Sequence, residues 1–124
     1  MELQRIKKIL MIEDEAISAK LTGFMLSHKG YKLIGVTEDE DEAIRITKEQ
    51  EPDLILADIH LSKGKESIPI IEKIRYFSTV PVVYYSGDDN KETVKKASRT
   101  SNSFYVHKSM DSSNLMKTIK KILK

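Results

Sequence analysis

The 124-residue chain contains no cysteine. That excludes disulfide scaffolds, thiolate metal centres and cysteine nucleophiles, and it suits a reducing compartment. No apolar run approaches the length needed to cross a bilayer. The opening MELQRIKKILMIEDE is basic but turns acidic after four apolar residues, too few for the core of a secretory signal. Net charge is only +2, too near balance to point by itself to nucleic acid or a membrane surface. Linkers, repeats and low-complexity tracts are lacking, as is any G-x-x-x-x-G-K-S/T phosphate loop; SKGK at 62–65 has the wrong spacing. With 40% hydrophobic and 32% charged residues, the expectation is one soluble cytoplasmic domain with a single core.

What is present is alternation. Five short apolar runs are strand-length: Ile9–Ile12, Lys32–Val36, Leu54–Ala57, Val80–Tyr85 and Phe104–Val106. Most are nearly continuous, as strands covered on both faces require. Between them the spacing is helical. Ile17, Leu21, Phe24 and Met25 predict one core-facing side, Ala43, Ile44 and Thr47 a thinner one, Ile70, Ile71, Ile74 and Phe77 a third, and Leu115, Ile119, Ile122 and Leu123 a fourth. The segment 90–100 offers only Val94 and Ala97, so its helix is expected to be thinly held. Gly30 marks the first helix stop, acids follow Thr37 at the start of the second, and Pro69 sits in the first turn of a helix beginning near Ile68. Five β-α units of this kind predict an α/β three-layer sandwich, a (βα)5 doubly wound fold with right-handed crossovers.

Ligands of such sheets bind beyond the carboxyl ends of the strands. Glu13, Asp14 and Glu15 follow the first strand, Asp58 the third, Ser86 and Gly87 the fourth, and Lys108 the fifth. Taken singly, each has an ordinary reading. Asp58 could cap a turn, the acidic triplet could open a helix, Ser86-Gly87 could be a turn, and Lys108 could be one of 21 basic residues in solvent. For Glu15 the helix-opening reading is adopted. Their joint occurrence at the correct strand ends is the informative fact. Carboxylates brought together repel unless a cation intervenes, and few hard oxygens are what Mg²⁺ takes. A metal, an ammonium and a hydroxyl around one carboxylate describe phosphoryl transfer with Asp58 as nucleophile.

The chain resembles a response-regulator receiver domain over its whole length, on ILMIEDE, PDLILADIHL, PVVYYSG and FYVHK. The resemblance implies a flavodoxin-like parallel sheet of order 2-1-3-4-5. It implies that Asp58 accepts a phosphoryl group from a histidine kinase or phosphotransfer protein. Glu13, Asp14, Asp58 and the backbone carbonyl of His60 would surround Mg²⁺, Lys108 would bind the phosphoryl group, and Ser86 and Tyr105 would form a switch pair. The responsive face would be the fourth helix, fifth strand and fifth helix, which also allows a homodimer. Partners would be a downstream protein target or a kinase domain, without nucleic acid or membrane. The chain would be a signalling module rather than an enzyme.

Four departures bear on this. Ser109 replaces the proline that often follows the lysine in a cis bond, and Glu66 and Ser67 stand where a glycine is usual. His60 and Asp88 occupy positions that tune aspartyl-phosphate lifetime in the family; the expectation is a solvent-facing His60 side chain and an Asp88 that serves the turn. The chain ends at Lys124 directly after the last helix, so a single receiver domain over 1–124 without an output domain, or a fragment, is expected. The basic stretch Lys117–Lys124 reads as the solvated side of that helix. Two alternatives stand beside this reading. One is a degenerate receiver that binds proteins without phosphate. The other is a Toprim-type Mg²⁺-dependent nucleic-acid enzyme, disfavoured because His60 stands where that chemistry needs an acid.

Overall fold

The five apolar runs form a single parallel sheet in the computed structural model, which describes residues 5–109 and 112–124. The chain alternates β1 (Lys8–Ile12), α1 (Ala16–His28), β2 (Lys32–Thr37), α2 (Glu40–Gln50), β3 (Leu54–Ala57), α3 (Ile68–Ile74), β4 (Val82–Ser86), α4 (Lys91–Ser98), β5 (Ser103–His107) and α5 (Ser113–Ile122). Strand order is β2-β1-β3-β4-β5. The register pairs Ile9 with Leu54, Ile55 with Val82, and Val82 with Ser103. β1, flanked by β2 and β3, is the point where the winding reverses, so the rim beyond β1 and β3 is open to a ligand.

Successive strand residues feed two cores. Leu10, Ile12, Ile55, Ala57, Val82 and Tyr84 pack with α2, α3 and α4, whereas Ile9, Met11, Leu54, Leu56, Val83 and Val106 pack with α1 and α5. This explains the continuous rather than alternating apolar runs of β1, β3 and β4.

The helices meet the sheet unevenly. α3 buries Ile68, Ile70, Ile71 and Ile74, each worth about 1.5–3 kcal/mol of burial, whereas α4 buries only Ala97, whose methyl is worth about 0.8 kcal/mol. The thin apolar face expected for 90–100 is therefore present.

The face of α1 corrects the sequence expectation. Ile17, Leu21 and Phe24 are 70%, 68% and 76% exposed, and the buried residues are Ala19, Thr22, Gly23 and Leu26. Of the predicted set only Met25 leans on the core. The cause is close packing on β2: a Cβ at Gly23 would lie 3.0 Å from the Leu33 side chain. The small side of α1 lets it approach the sheet, and hydrophobicity alone does not register that choice.

Element boundaries also shift. β4 starts at Val82 rather than Val80, because Pro81 has no amide to give the ladder, and it runs on to include Ser86. β5 extends by one residue at each end. α3 stops at Ile74, so Phe77 leaves its predicted core-facing side and is half exposed, with the Lys48 ammonium 4.9 Å above its ring.

The entry to β3 is pinned by Asp53. Its carboxylate accepts two bonds from Arg5, at 3.0 and 2.6 Å, and one from the Lys8 amide at 2.7 Å. Burial pushes the carboxyl up, but Arg5 and the amide outweigh it, and the group is held below its ordinary value. Because the folded value lies below the unfolded one, the stabilisation is present above the ordinary carboxylate range. It is lost as pH falls through the folded value. Asp53→Asn is therefore expected to lower stability by roughly 1 kcal/mol at neutral pH, after screening of the exposed Arg5. Thermal melts of the two proteins should converge in strong acid; an equal gap at both pH values would rule the account out.

Candidate functional site

Strand ends deliver the side chains. β1 ends at Ile12 and Glu13 follows, its amide bonded to the Thr37 carbonyl at 3.0 Å. β3 ends at Ala57 and Asp58 follows, its amide bonded to the Ile12 carbonyl at 2.9 Å. Ser86 closes β4, and its carbonyl receives the Lys108 amide at 2.8 Å. Backbone bonds thereby tie the ends of β1, β2 and β3 to one another, and the end of β4 to the residue after β5, along one rim.

Lys108 joins them. Its Nζ donates to Asp58 Oδ2 at 3.0 Å, Glu13 Oε1 at 3.1 Å and Ser18 Oγ at 3.2 Å, and it lies 5.5 Å from the centre of the Tyr85 ring. Burial by itself would lower the Lys108 ammonium, but the two carboxylates outweigh it and the group is held above its ordinary value, fully charged. Burial pushes the Glu13 carboxyl up, while Ser18 and Lys108 pull it down without cancelling the rise. Glu13 Oε2 is buried and has no hydrogen-bond partner among the described residues. An unpartnered buried carboxylate oxygen is costly unless a cation or water meets it.

That orphan oxygen is the observation that bears on a metal. The donor set of Glu13 and Asp58 is hard oxygen, with the orphan Oε2 still to be satisfied, and this suits a divalent cation of the Mg²⁺ type. Among the described residues, no three acidic or imidazole side chains already stand around one point. The Lys108 ammonium lies between Glu13 and Asp58, and Asp14 is exposed at the rim beside them.

The remaining predicted residues form a second group. Ser86 is buried, and its Oγ accepts the Asp88 amide at 3.2 Å. Tyr105 is half-buried, its hydroxyl donating to the Asp88 carbonyl. The His60 amide reaches Asp58 Oδ1 at 3.3 Å. The His60 ring is half exposed to solvent, as expected, and its Nε2 in addition donates to Asp88 Oδ2 at 2.6 Å. That bond, followed by the Asn90 amide at 2.8 Å, holds the Asp88 carboxyl below its ordinary value. Asp88 therefore serves the turn, as expected, and also reaches across the rim. The peptide bond after Lys108 is trans, as are all bonds among the described residues.

The unusual loop after Asp58 is a tight hairpin. His60 pairs with Glu66 in an antiparallel bridge, the Leu61 amide bonds the Lys65 carbonyl at 2.8 Å, and a 3₁₀ turn spans Ser62–Gly64. Lys63 and Gly64 take positive φ, 57° and 73°, so the glycine of SKGK serves the turn.

Sequence reading missed Ser18 and Tyr85, which touch Lys108. Ser18 had one signal, a hydroxyl interrupting an otherwise apolar helix stretch one turn after Asp14. Tyr85 had none, since a tyrosine in a buried strand reads as core.

A model of the response regulator receiver domain matches residues 9–120. The transcriptional regulatory protein PdtaR of Mycobacterium tuberculosis is 25% identical over 113 residues, covering 91% of this chain and 55% of that protein. The phyllosphere-induced regulator PhyR of Methylorubrum extorquens is 35% identical over 78 residues, 62% of this chain and 29% of that protein. The chain thus spans about half the length of PdtaR and less of PhyR. A two-component response regulator from Clostridium difficile superposes with a TM-score of 0.84 at 26% identity, over 94% of this chain and 95% of that one. By the extent of the family match, and by a parallel sheet of order 2-1-3-4-5 with its acids and lysine on one rim, this chain belongs to the response regulator receiver domain family.

Proposed function

We propose that the chain receives a phosphoryl group on Asp58 from a phosphohistidine donor, in a Mg²⁺-dependent reaction, and signals by protein contact. The observation that carries this is the Lys108 ammonium shared by Asp58 and Glu13, beside a Glu13 oxygen that is buried without a partner among the described residues.

In this reading a carboxylate oxygen of Asp58 forms a bond to phosphorus as the donor's nitrogen–phosphorus bond breaks, its electron pair leaving with the imidazole. Lys108, pre-charged and aimed at Asp58 Oδ2, transfers its hydrogen bond to a phosphoryl oxygen. Ser86 gives up its contact with the Asp88 amide and donates to another oxygen of the group. Glu13, Asp14, Asp58 and the carbonyl of His60 would hold Mg²⁺. The chemistry that ion supplies when bound is neutralisation of phosphoryl charge.

The exposed apolar stripe of α1 supports the protein-donor part. Ile17 is next to Ser18, which touches Lys108, and Leu21 and Phe24 continue the same helix face at spacings of four and three. That spacing matches a seam for a partner helix. A donor carrying its histidine on a helix and reaching Asp58 would cover this stripe.

The test is direct. The wild-type chain, incubated with acetyl phosphate, should gain the mass of one phosphoryl group with Mg²⁺ and not with a chelator. No gain in Mg²⁺ would favour the phosphate-independent binding module instead.

A further inference from the structure

Asp88 touches more of the rim than its place in a turn explains. Its amide reaches Ser86, its carbonyl accepts from Tyr105, and its carboxylate accepts from His60 at 2.6 Å, Thr93 at 3.0 Å and the Asn90 amide at 2.8 Å. One residue thus contacts the end of β4, the middle of β5, the loop after Asp58 and the start of α4. The His60 contact matters because its own amide lies against Asp58 Oδ1, so the residue joins the two groups. A second tie runs parallel to it, from Glu66 of the same hairpin to Lys96 of α4 at 2.9 Å. Since α4 buries only Ala97, such polar ties add to a thin apolar hold.

We propose that Asp88 is a positioning residue that couples the loop after Asp58 to α4, with the His60 side chain as the connecting arm. The hairpin hands its position to Asp88 through His60. Asp88 passes it to α4 through Thr93 and Asn90, and to Tyr105 through its carbonyl. The joint exists in the unphosphorylated chain; only its use as a signal path rests on the reading of Asp58 given above.

Amide hydrogen exchange of α4 tests the joint in the full chain without Mg²⁺ or phosphodonor. His60→Gln lies outside α4, so a residue that merely served its own turn would not respond to it. The expected result is roughly fivefold to tenfold faster exchange over 90–98 in His60→Gln, with β1 and β3 amides unchanged as a control for global unfolding. Asp88→Asn should give a similar increase, and the double variant should be no faster than the faster single. Wild-type exchange of α4 in His60→Gln, or additive effects in the double variant, overturns the proposal. Repeating the comparison with Mg²⁺ and beryllofluoride separates the two readings. Failure of the wild type to bind beryllofluoride counts against phosphorylation of Asp58, whereas the metal-free comparison still decides the joint. Where beryllofluoride does change α4 exchange in the wild type, an equal change in His60→Gln overturns its use as the signal path.

Discussion

Asp58→Asn is expected to take up no phosphoryl group from acetyl phosphate in Mg²⁺, while keeping the wild-type fold. The amide preserves size and can still accept from Lys108 or from the His60 amide, so the hydrogen bonds that order the rim have a replacement acceptor. What disappears is the anionic oxygen that forms the bond to phosphorus. The substitution also removes one of two carboxylates. The Asp58 charge is among the causes that raise the Glu13 carboxyl, so in the variant Glu13 should ionise more readily. Lys108 keeps Glu13 and Ser18 as partners. Intact-mass measurement beside a thermal melt reads both halves. A variant that melts like the wild type and still gains a phosphoryl mass would place the acceptor elsewhere, since Asp14 and Asp88 lie on the same rim.

Lys108→Met should separate two properties that a simple scaffold would lose together. Phosphoryl uptake is expected to fall about 10²–10³-fold, the usual effect of deleting one positioned donor to developing negative charge. Mg²⁺ binding in the absence of phosphodonor is expected to tighten, because the ammonium lying between Asp58 and Glu13, which competes with a cation for both, is removed. Without Lys108 the burial that lifts the Glu13 carboxyl is less opposed, so its folded value rises further above the unfolded one. For a carboxyl shifted in that direction the folded state binds more protons, and stability falls as pH rises. The variant should therefore gain stability relative to wild type as pH is lowered from neutrality toward the ordinary carboxylate range. Calorimetric titration with Mg²⁺, melts across pH and the mass assay give the three readouts. A joint fall in Mg²⁺ affinity and phosphoryl uptake would falsify the account and reduce Lys108 to a structural strut.

Much of this site was legible along the chain because strand ends are legible. A continuous apolar run followed at once by an acid locates Glu13 and Asp58 without coordinates, and FYVHK locates Lys108 in the same way. The doubly wound sheet then dictates that all three meet, since parallel strands finish on one edge. Loop chemistry was less readable. SKGKES departs from the common pattern, and its antiparallel His60–Glu66 bridge depends on positive φ at Lys63 and Gly64, a conformation open to glycine but unusual for lysine. The contact of the exposed His60 ring with Asp88 was not readable, because nothing in the spacing of 28 residues between them predicts it.

The helix faces divide the two kinds of information most sharply. Local pattern determined that α1 exists and where it stops, with Gly30 at φ 90° just past its end. It also determined three of the four buried isoleucines of α3, Ile70, Ile71 and Ile74, and the thin face of α4. It pointed the wrong side of α1 inward, because an apolar count ranks Ile17, Leu21 and Phe24 above Ala19 and Gly23. The order reverses in the fold, where the distance of closest approach to Leu33 decides which side fits. Residue types and their spacing thus determined the elements, the sheet and the convergence of Glu13, Asp58 and Lys108. Contacts between segments far apart in sequence decided the buried side of α1, the place of Ser18 and Tyr85 at Lys108, and the reach of Asp88 across the rim. Those contacts depend on shape and distance in three dimensions, which one-dimensional periodicity does not carry.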